Sequence, residues 1–148
     1  MIDDAILLVD DNPDDLELMQ IAFERARVTN PVHTASDGET AVRYLSGEGD
    51  YADRTRFPLP FLVLLDVKLP GKNGLEVLQW IRAHLDHSVI VVMLSSSAQP
   101  RDVIQAAKSH CNSYLVKPDS LQELCRLVGL IKAYWIEQNQ WMRPHSDR

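Results

Sequence analysis

The sequence predicts an α/β fold of the doubly wound kind, a (βα)5 chain whose five strands form one parallel sheet. Three observations predict it. The apolar runs AILLV, FLVLL and VIVVML have the length and composition of strands buried on both faces, without the alternation of a half-exposed sheet. The stretches between the strands carry apolar residues at helical spacing, so strand and helix alternate along the chain. The runs also end in polar and turn residues, where open α/β sheets place their ligands. Such alternation implies right-handed crossovers and helices on both faces.

Composition narrows the class. A length of 148 residues suits a single domain with room for a core, and 45% hydrophobic against 24% charged residues is an ordinary soluble balance. The core is expected over about 5–132, with 133–148 as a helical extension and tail. A net charge of -6 with no Lys/Arg cluster argues against nucleic-acid binding. The start MIDDAILLVDD lacks the basic opening and cleavage site of a secretory signal, and no apolar run reaches the roughly 18 residues that span a bilayer. Cys111 and Cys125 lie in segments read as helical, which fits a reducing, cytoplasmic compartment with no membrane partner. His33, His84, His87, His110 and His145 show no ligand spacing and read as surface or packing residues.

In chain order, β1 (5–9) runs into Asp10 and Asp11. Asn12 caps α1 (13–27), Pro13 suits its first position, and Asp14 and Asp15 favour its start through the helix dipole. A weak strand, β2 (32–36), turns at Asp37-Gly38 into α2, which starts at 38 and rests on Ala41, Val42 and Leu45. Residues 47–60 (GEGDYADRTRFPLP) read as a long loop, an insertion or a partner contact. The strand β3 (61–65) delivers Asp66 and then the turn residues Pro70, Gly71 and Asn73. Gly74 begins α3, with Leu78, Ile81 and Leu85 on one face. β4 (89–94) runs into Ser95, α4 covers 100–110, and β5 (113–116) ends in Lys117-Pro118. Ser120 and Glu123 have the spacing of a capping box that opens α5 from 121.

Four strands therefore end in a group able to do chemistry: Asp10 and Asp11, Asp66, Ser95 and Lys117. Packed carboxylates repel, and a hard divalent ion such as Mg²⁺ held by oxygens is the natural compensation. Lys117 and Ser95 can then hold the oxygens of a phosphoryl group while the Asp66 carboxylate attacks phosphorus, giving an aspartyl phosphate.

The ordered motifs Val9-Asp10-Asp11, Leu65-Asp66-x-x-Leu-Pro-Gly-x-Asn-Gly74, Leu94-Ser95-Ser96 and Tyr114-Leu-Val-Lys117-Pro118 resemble the receiver domain of two-component response regulators over residues 5–132. The resemblance implies a flavodoxin-like sheet of order 2-1-3-4-5 with an extended C-terminal helix. It makes Asp66 the phosphoacceptor and assigns Mg²⁺ to Asp11 and Asp66, with Asp10 acting through water and the backbone carbonyl of Lys68 as a further ligand. Ser95 and Lys117 would meet the phosphoryl oxygens, Tyr114, three residues before Lys117, would be a rotameric aromatic switch, and the Lys117–Pro118 bond would be cis. Lys68 and Ser97 occupy positions that tune phosphate lifetime in the family. Neither orients an attacking water as a carboxamide or carboxylate could, so slow self-dephosphorylation is expected.

The tail carries two apolar stripes. Leu121, Leu124, Val128, Ile131 and Trp135 should face the sheet, and Leu127, Leu130, Tyr134 and Trp141 form a second stripe that one domain leaves unpartnered. A homodimer through the α4-β5-α5 face is the economical use of it. With Asn112-Ser113-Tyr114, Tyr134-Trp135 and the 47–60 loop, the chain resembles stand-alone receivers paired with bacterial phytochrome-type histidine kinases, which implies a phosphorelay switch rather than an enzyme. An intermediate phosphate shuttle and a binding-only pseudo-receiver are the alternatives. A metal-dependent phosphatase usually carries a second acid two residues after its nucleophile, where this chain has Lys68.

Overall fold

The strands Ile6–Val9 (β1), Val32–Ala35 (β2), Leu62–Leu65 (β3), Ile90–Ser95 (β4) and Ser113–Val116 (β5) pair in parallel in the order β2-β1-β3-β4-β5. The computed structural model describes residues 4–85, 87–96 and 98–140. Helices Pro13–Arg25 (α1), Gly38–Ser46 (α2), Gly74–His84 (α3), Pro100–Lys108 (α4) and Leu121–Ile131 (α5) complete the alternation. Because side chains alternate along a strand, Leu7, Val9, Val63, Leu65, Val91 and Met93 share one face with Ala41, Leu78, Ile81 and Ala106 of α2, α3 and α4. Ile6, Leu8, Leu62, Leu64 and Val92 share the other with Phe23 of α1 and Val128 of α5. A sheet covered on both faces is why its central strands read as unbroken apolar runs.

Two helices stop earlier than their apolar spacing suggests. Arg27 and His110 adopt left-handed backbone, φ 62° and 67°. The following amides turn back, Val28 N–H to the Phe23 carbonyl (3.0 Å) and Cys111 N–H to the Ala106 carbonyl (3.1 Å). These are Schellman endings made without glycine, so α1 closes at Arg25 and α4 at Lys108.

Residues 47–60 are more ordered than an irregular loop. They contain a 3₁₀ turn, Gly49–Tyr51. Tyr51 and Phe57 pack edge-on with ring centroids 5.1 Å apart, and both lie against the buried Tyr44. Arg54 donates to the carbonyls of Tyr44, Leu45 and Phe57 at 2.8–3.0 Å and so ties the last turn of α2 to the segment that follows it. The segment is stapled to the body by an arginine fork and an aromatic cluster.

The C-terminal helix does extend past the core, but as a π-helical stretch, Lys132–Gln138. The wider repeat brings Lys132 Nζ within 3.6 Å of Glu137 Oε2, five residues on. Leu124, Val128 and Ile131 are buried as expected, and Trp135 packs partly against them, as does Leu127 of the second stripe. Trp141 and Ser97 lie outside the described residues. Among the described residues no helix is long and apolar enough to cross a membrane.

Candidate functional site

The ladder of the sheet sets the site. Asp10 N–H donates to the Ala35 carbonyl (3.1 Å), Asp66 N–H to Val9 (3.0 Å) and Lys117 N–H to Ser95 (2.7 Å). Each residue just past a strand is thus still pinned to the last residue of the neighbouring strand. Ser95 itself is the final residue of β4 and is fully buried. The Lys117–Pro118 peptide is trans, which corrects the cis bond implied by resemblance. Trans is the lower-energy isomer by about 0.5–1 kcal/mol at such a bond, and with it Lys117 already reaches both the Ser95 carbonyl and the acids.

Asp10 and Asp66 are held alike. Asp10 Oδ1 accepts from the Asn12 amide at 3.0 Å, and Asp66 Oδ1 from the Lys68 amide at 3.1 Å. These bonds to a backbone amide two residues on are Asx turns, and they leave both Oδ2 atoms to Lys117. Its ammonium lies 2.6 Å from Asp10 Oδ2, 3.1 Å from Asp15 Oδ2 and 3.3 Å from Asp66 Oδ2. The third acid was not expected. The first turn of α1 gives Asp15 a local role at the helix dipole, and Asn12 caps the helix as expected, its side chain accepting from the amides of Asp14 and Asp15. The Asp15 carboxylate turns to Lys117 as well.

Burial pushes the Asp66 carboxyl above the usual range; the Lys117 charge and the Lys68 amide oppose that rise, and the Asp10 charge adds to it. Burial by itself would lower Lys117, but its hydrogen bond to Asp10, the charges of Asp66 and Asp10 and the bond to Asp15 outweigh it and raise the ammonium above an ordinary lysine. Three carboxylates thus face one ammonium, and a fourth, Asp11, stands beside two of them. Oxygens of Asp10, Asp11 and Asp66 lie within 4.8 Å of one another, and this is the one such cluster among the described residues. A hard-oxygen set of this kind, undersupplied with positive charge, fits a divalent cation. Asp11 is exposed, so the cluster opens to solvent on its side.

Ser95 and Tyr114 are brought together. Their side chains hydrogen-bond, and Tyr114 is pushed above its ordinary range chiefly by burial, with the Asp102 and Asp66 charges also acting on it. The tyrosine therefore touches the serine next to the acids. Lys68 contributes its amide to Asp66, and its side chain is exposed.

The α3 start presses on the same point. A Cβ on Gly74 would lie 2.0 Å from the Asp66 carbonyl oxygen, and the Gly74 amide donates to Val67 at 2.9 Å. Only glycine allows this approach. Beside it, Asn73 and Glu76 form a reciprocal capping box that fixes the helix entry.

Comparison with known proteins gives the same constellation a context. The sequence profile of the response regulator receiver domain matches residues 6–129. The probable methanogenesis regulatory protein FilR2 of Methanothrix harundinacea is 40% identical over 141 residues, 94% of this chain and 88% of that protein. Response regulator Rcp1 of Synechocystis is 36% identical over 134 residues, 90% of this chain and 89% of that one. Among solved structures, the phosphorylated cyanobacterial phytochrome response regulator RcpA superposes with a TM-score of 0.85 at 35% identity, covering 95% of this chain and 99% of its own. The Mn²⁺-bound form of Rcp1 superposes at 0.83 with 34% identity, covering 94% and 99%.

Proposed function

Because this chain belongs to the response regulator receiver family, we propose that Asp66 accepts a phosphoryl group from the phosphohistidine of a histidine kinase, with Mg²⁺ as the working ion. The observation that carries the reading is the placement of one ammonium, Lys117, at 2.6 Å from Asp10 and 3.3 Å from Asp66, beside three acids with clustered oxygens. An Asp66 oxygen forms the new bond to phosphorus while the P–N bond breaks and its electron pair leaves with the imidazole. Asp10, Asp11 and Asp66, with the Lys68 carbonyl, are the groups to hold the ion, which supplies positive charge for the phosphoryl oxygens. Lys117 supplies the rest, and the Ser95 hydroxyl donates to another oxygen. When Ser95 moves to do so its contact with Tyr114 changes, and the tyrosine carries the state of Asp66 to the α4-β5-α5 face.

The product is a switch and not an enzyme turnover. Lys68 beside Asp66 offers no carboxamide or carboxylate to orient water, which supports slow phosphate loss. The likeness to RcpA and Rcp1 supports a phytochrome-type kinase as the cognate donor. The charge of -6 supports a protein partner over a nucleic acid, and the absence of a spanning helix among the described residues fits a cytoplasmic site of action. The whole chain reads as one receiver unit with a short helical extension.

The output surface is a second copy of the chain. Of the large apolar side chains exposed among the described residues, Ile104 of α4, Val116 of β5, Leu130 of α5 and Tyr134 have the highest exposure, 50–58%. The last two belong to a groove of about 410 Å³ that Leu115, Leu127 and Trp135 also line. Such a patch on a receiver with one apolar helix face to spare fits self-association.

The test is incubation with acetyl phosphate and Mg²⁺ followed by intact mass. A hydroxylamine-labile phosphoryl adduct that disappears in Asp66→Asn is the expected result. An adduct that survives in that variant, or none in the wild type, overturns the assignment.

A further inference from the structure

Lys117 faces a conflict of duties that three distances make visible. Its ammonium has three N–H donors, and in the resting protein three carboxylates take them: Asp10 at 2.6 Å, Asp15 at 3.1 Å and Asp66 at 3.3 Å. Two of those acceptors belong to the cluster that fits a divalent ion, and one of the two is the proposed phosphoacceptor. Once Asp10 and Asp66 turn their oxygens to a cation, Lys117 keeps only the acceptor that is not in the cluster. That acceptor is Asp15, on the first turn of α1 and outside the group formed by Asp10, Asp11 and Asp66. The lysine side chain is only 10% exposed, so an ammonium left there with no acceptor would be costly.

We propose that Asp15 is a positioning residue that tethers Lys117 when Asp10 and Asp66 are engaged by a divalent ion, keeping its ammonium beside Asp66 for the incoming phosphoryl group. This rests on the reading of Asp66 as phosphoacceptor. In the resting state the tether matters little, because Asp15 is 33% exposed and pairs of that kind contribute modestly. Its weight appears only with the ion bound. Asp14, the exposed neighbour with the same charge and no contact to Lys117, separates tethering from the general loss of a negative charge near the site.

The experiment follows the Lys117 ammonium by ¹⁵N NMR in the full chain, with and without Mg²⁺ alone. With Mg²⁺, Asp15→Ala should speed exchange of the Lys117 ammonium protons about tenfold, the weight of one charge-assisted hydrogen bond. Asp15→Glu should restore slow exchange, and Asp14→Asn should leave it as in the wild type. Labelling of Asp66 by acetyl phosphate should slow by a similar factor in Asp15→Ala and recover in Asp15→Glu. The proposal is overturned if Asp15→Ala leaves the ammonium unchanged with Mg²⁺, or if Asp14→Asn moves it as far. If the wild type takes no phosphoryl group while the ammonium still answers to Asp15, the phosphoacceptor reading fails and the tether stands.

Discussion

Gly74 meets the Asp66 carbonyl so closely that a Cβ there would stand 2.0 Å from the oxygen and 2.8 Å from the carbonyl carbon. Both contacts are to backbone, so no side chain can swing aside. The start of α3 therefore acts as a stop behind the residue that we assign as phosphoacceptor. Gly74→Ala should destabilise the fold by about 1–3 kcal/mol, the usual cost of forcing an extra carbon into a packed region. It should also slow labelling of Asp66 under conditions where the variant remains folded. Urea unfolding and acetyl phosphate labelling measure the two effects separately, and unchanged values in both would contradict the contact.

Asp66 is held at a cost to stability. Burial raises its carboxyl above the ordinary carboxylate range, so the folded protein binds that proton more tightly than the unfolded chain. Stability from this group therefore falls as pH rises through the ordinary range and past the raised value, and is lowest near neutrality. Without divalent ions, Asp66→Asn should melt above the wild type at pH 7, by roughly 2–4 °C if the relief is near 1 kcal/mol. The gap should close as pH is lowered towards 4, and Mg²⁺ should reverse it by stabilising only the wild type. Thermal melts across that range, with EDTA and with Mg²⁺, decide the matter.

Arg54 gives a contrast, since it stabilises without touching the site. Its fork holds three carbonyls at the end of α2 and in the insertion, on the side of the aromatic cluster of Tyr44, Tyr51 and Phe57. Arg54→Ala takes the charged donor from all three, leaving only the Tyr44 carbonyl with another partner, the Gly47 amide, and should cost about 2–3 kcal/mol. Labelling of Asp66 should be unaffected in the variant. A loss of labelling in folded Arg54→Ala would mean that the insertion communicates with the acids.

These residues also mark what could be read without coordinates. The strands were legible because burial on both faces writes them as plain apolar runs, and Asp10, Asp66, Ser95 and Lys117 because each sits where such a run stops. Asp15 was not legible. An acid on the first turn of a helix has a sufficient local explanation, and its partner lies 102 residues away. The endings of α1 and α4 were missed for a local reason: Arg27 and His110 take a backbone conformation that sequence patterns reserve for glycine. The role of Arg54 was hidden as well, because a fork that closes a helix end belongs to tertiary structure and leaves no spacing to recognise.

The proposed dimer face turns on Tyr134 and Leu130, exposed at 58% and 55%. Tyr134 belongs to the π-helical stretch, where it packs edge-on against Trp135 at 4.8 Å, so its ring is braced while remaining open to solvent. A braced aromatic beside an apolar groove has little conformational freedom left to lose on association, which favours an anchor role. Aspartate at either position places a charge on the patch without disturbing Val128 or Ile131, which form the buried side of the same helix. Tyr134→Asp and Leu130→Asp should each shift the protein to monomer in sedimentation velocity while keeping the wild-type melting temperature and Asp66 labelling. A wild type that stays monomeric at every concentration, phosphorylated or not, would remove the second copy as the occupant of this face.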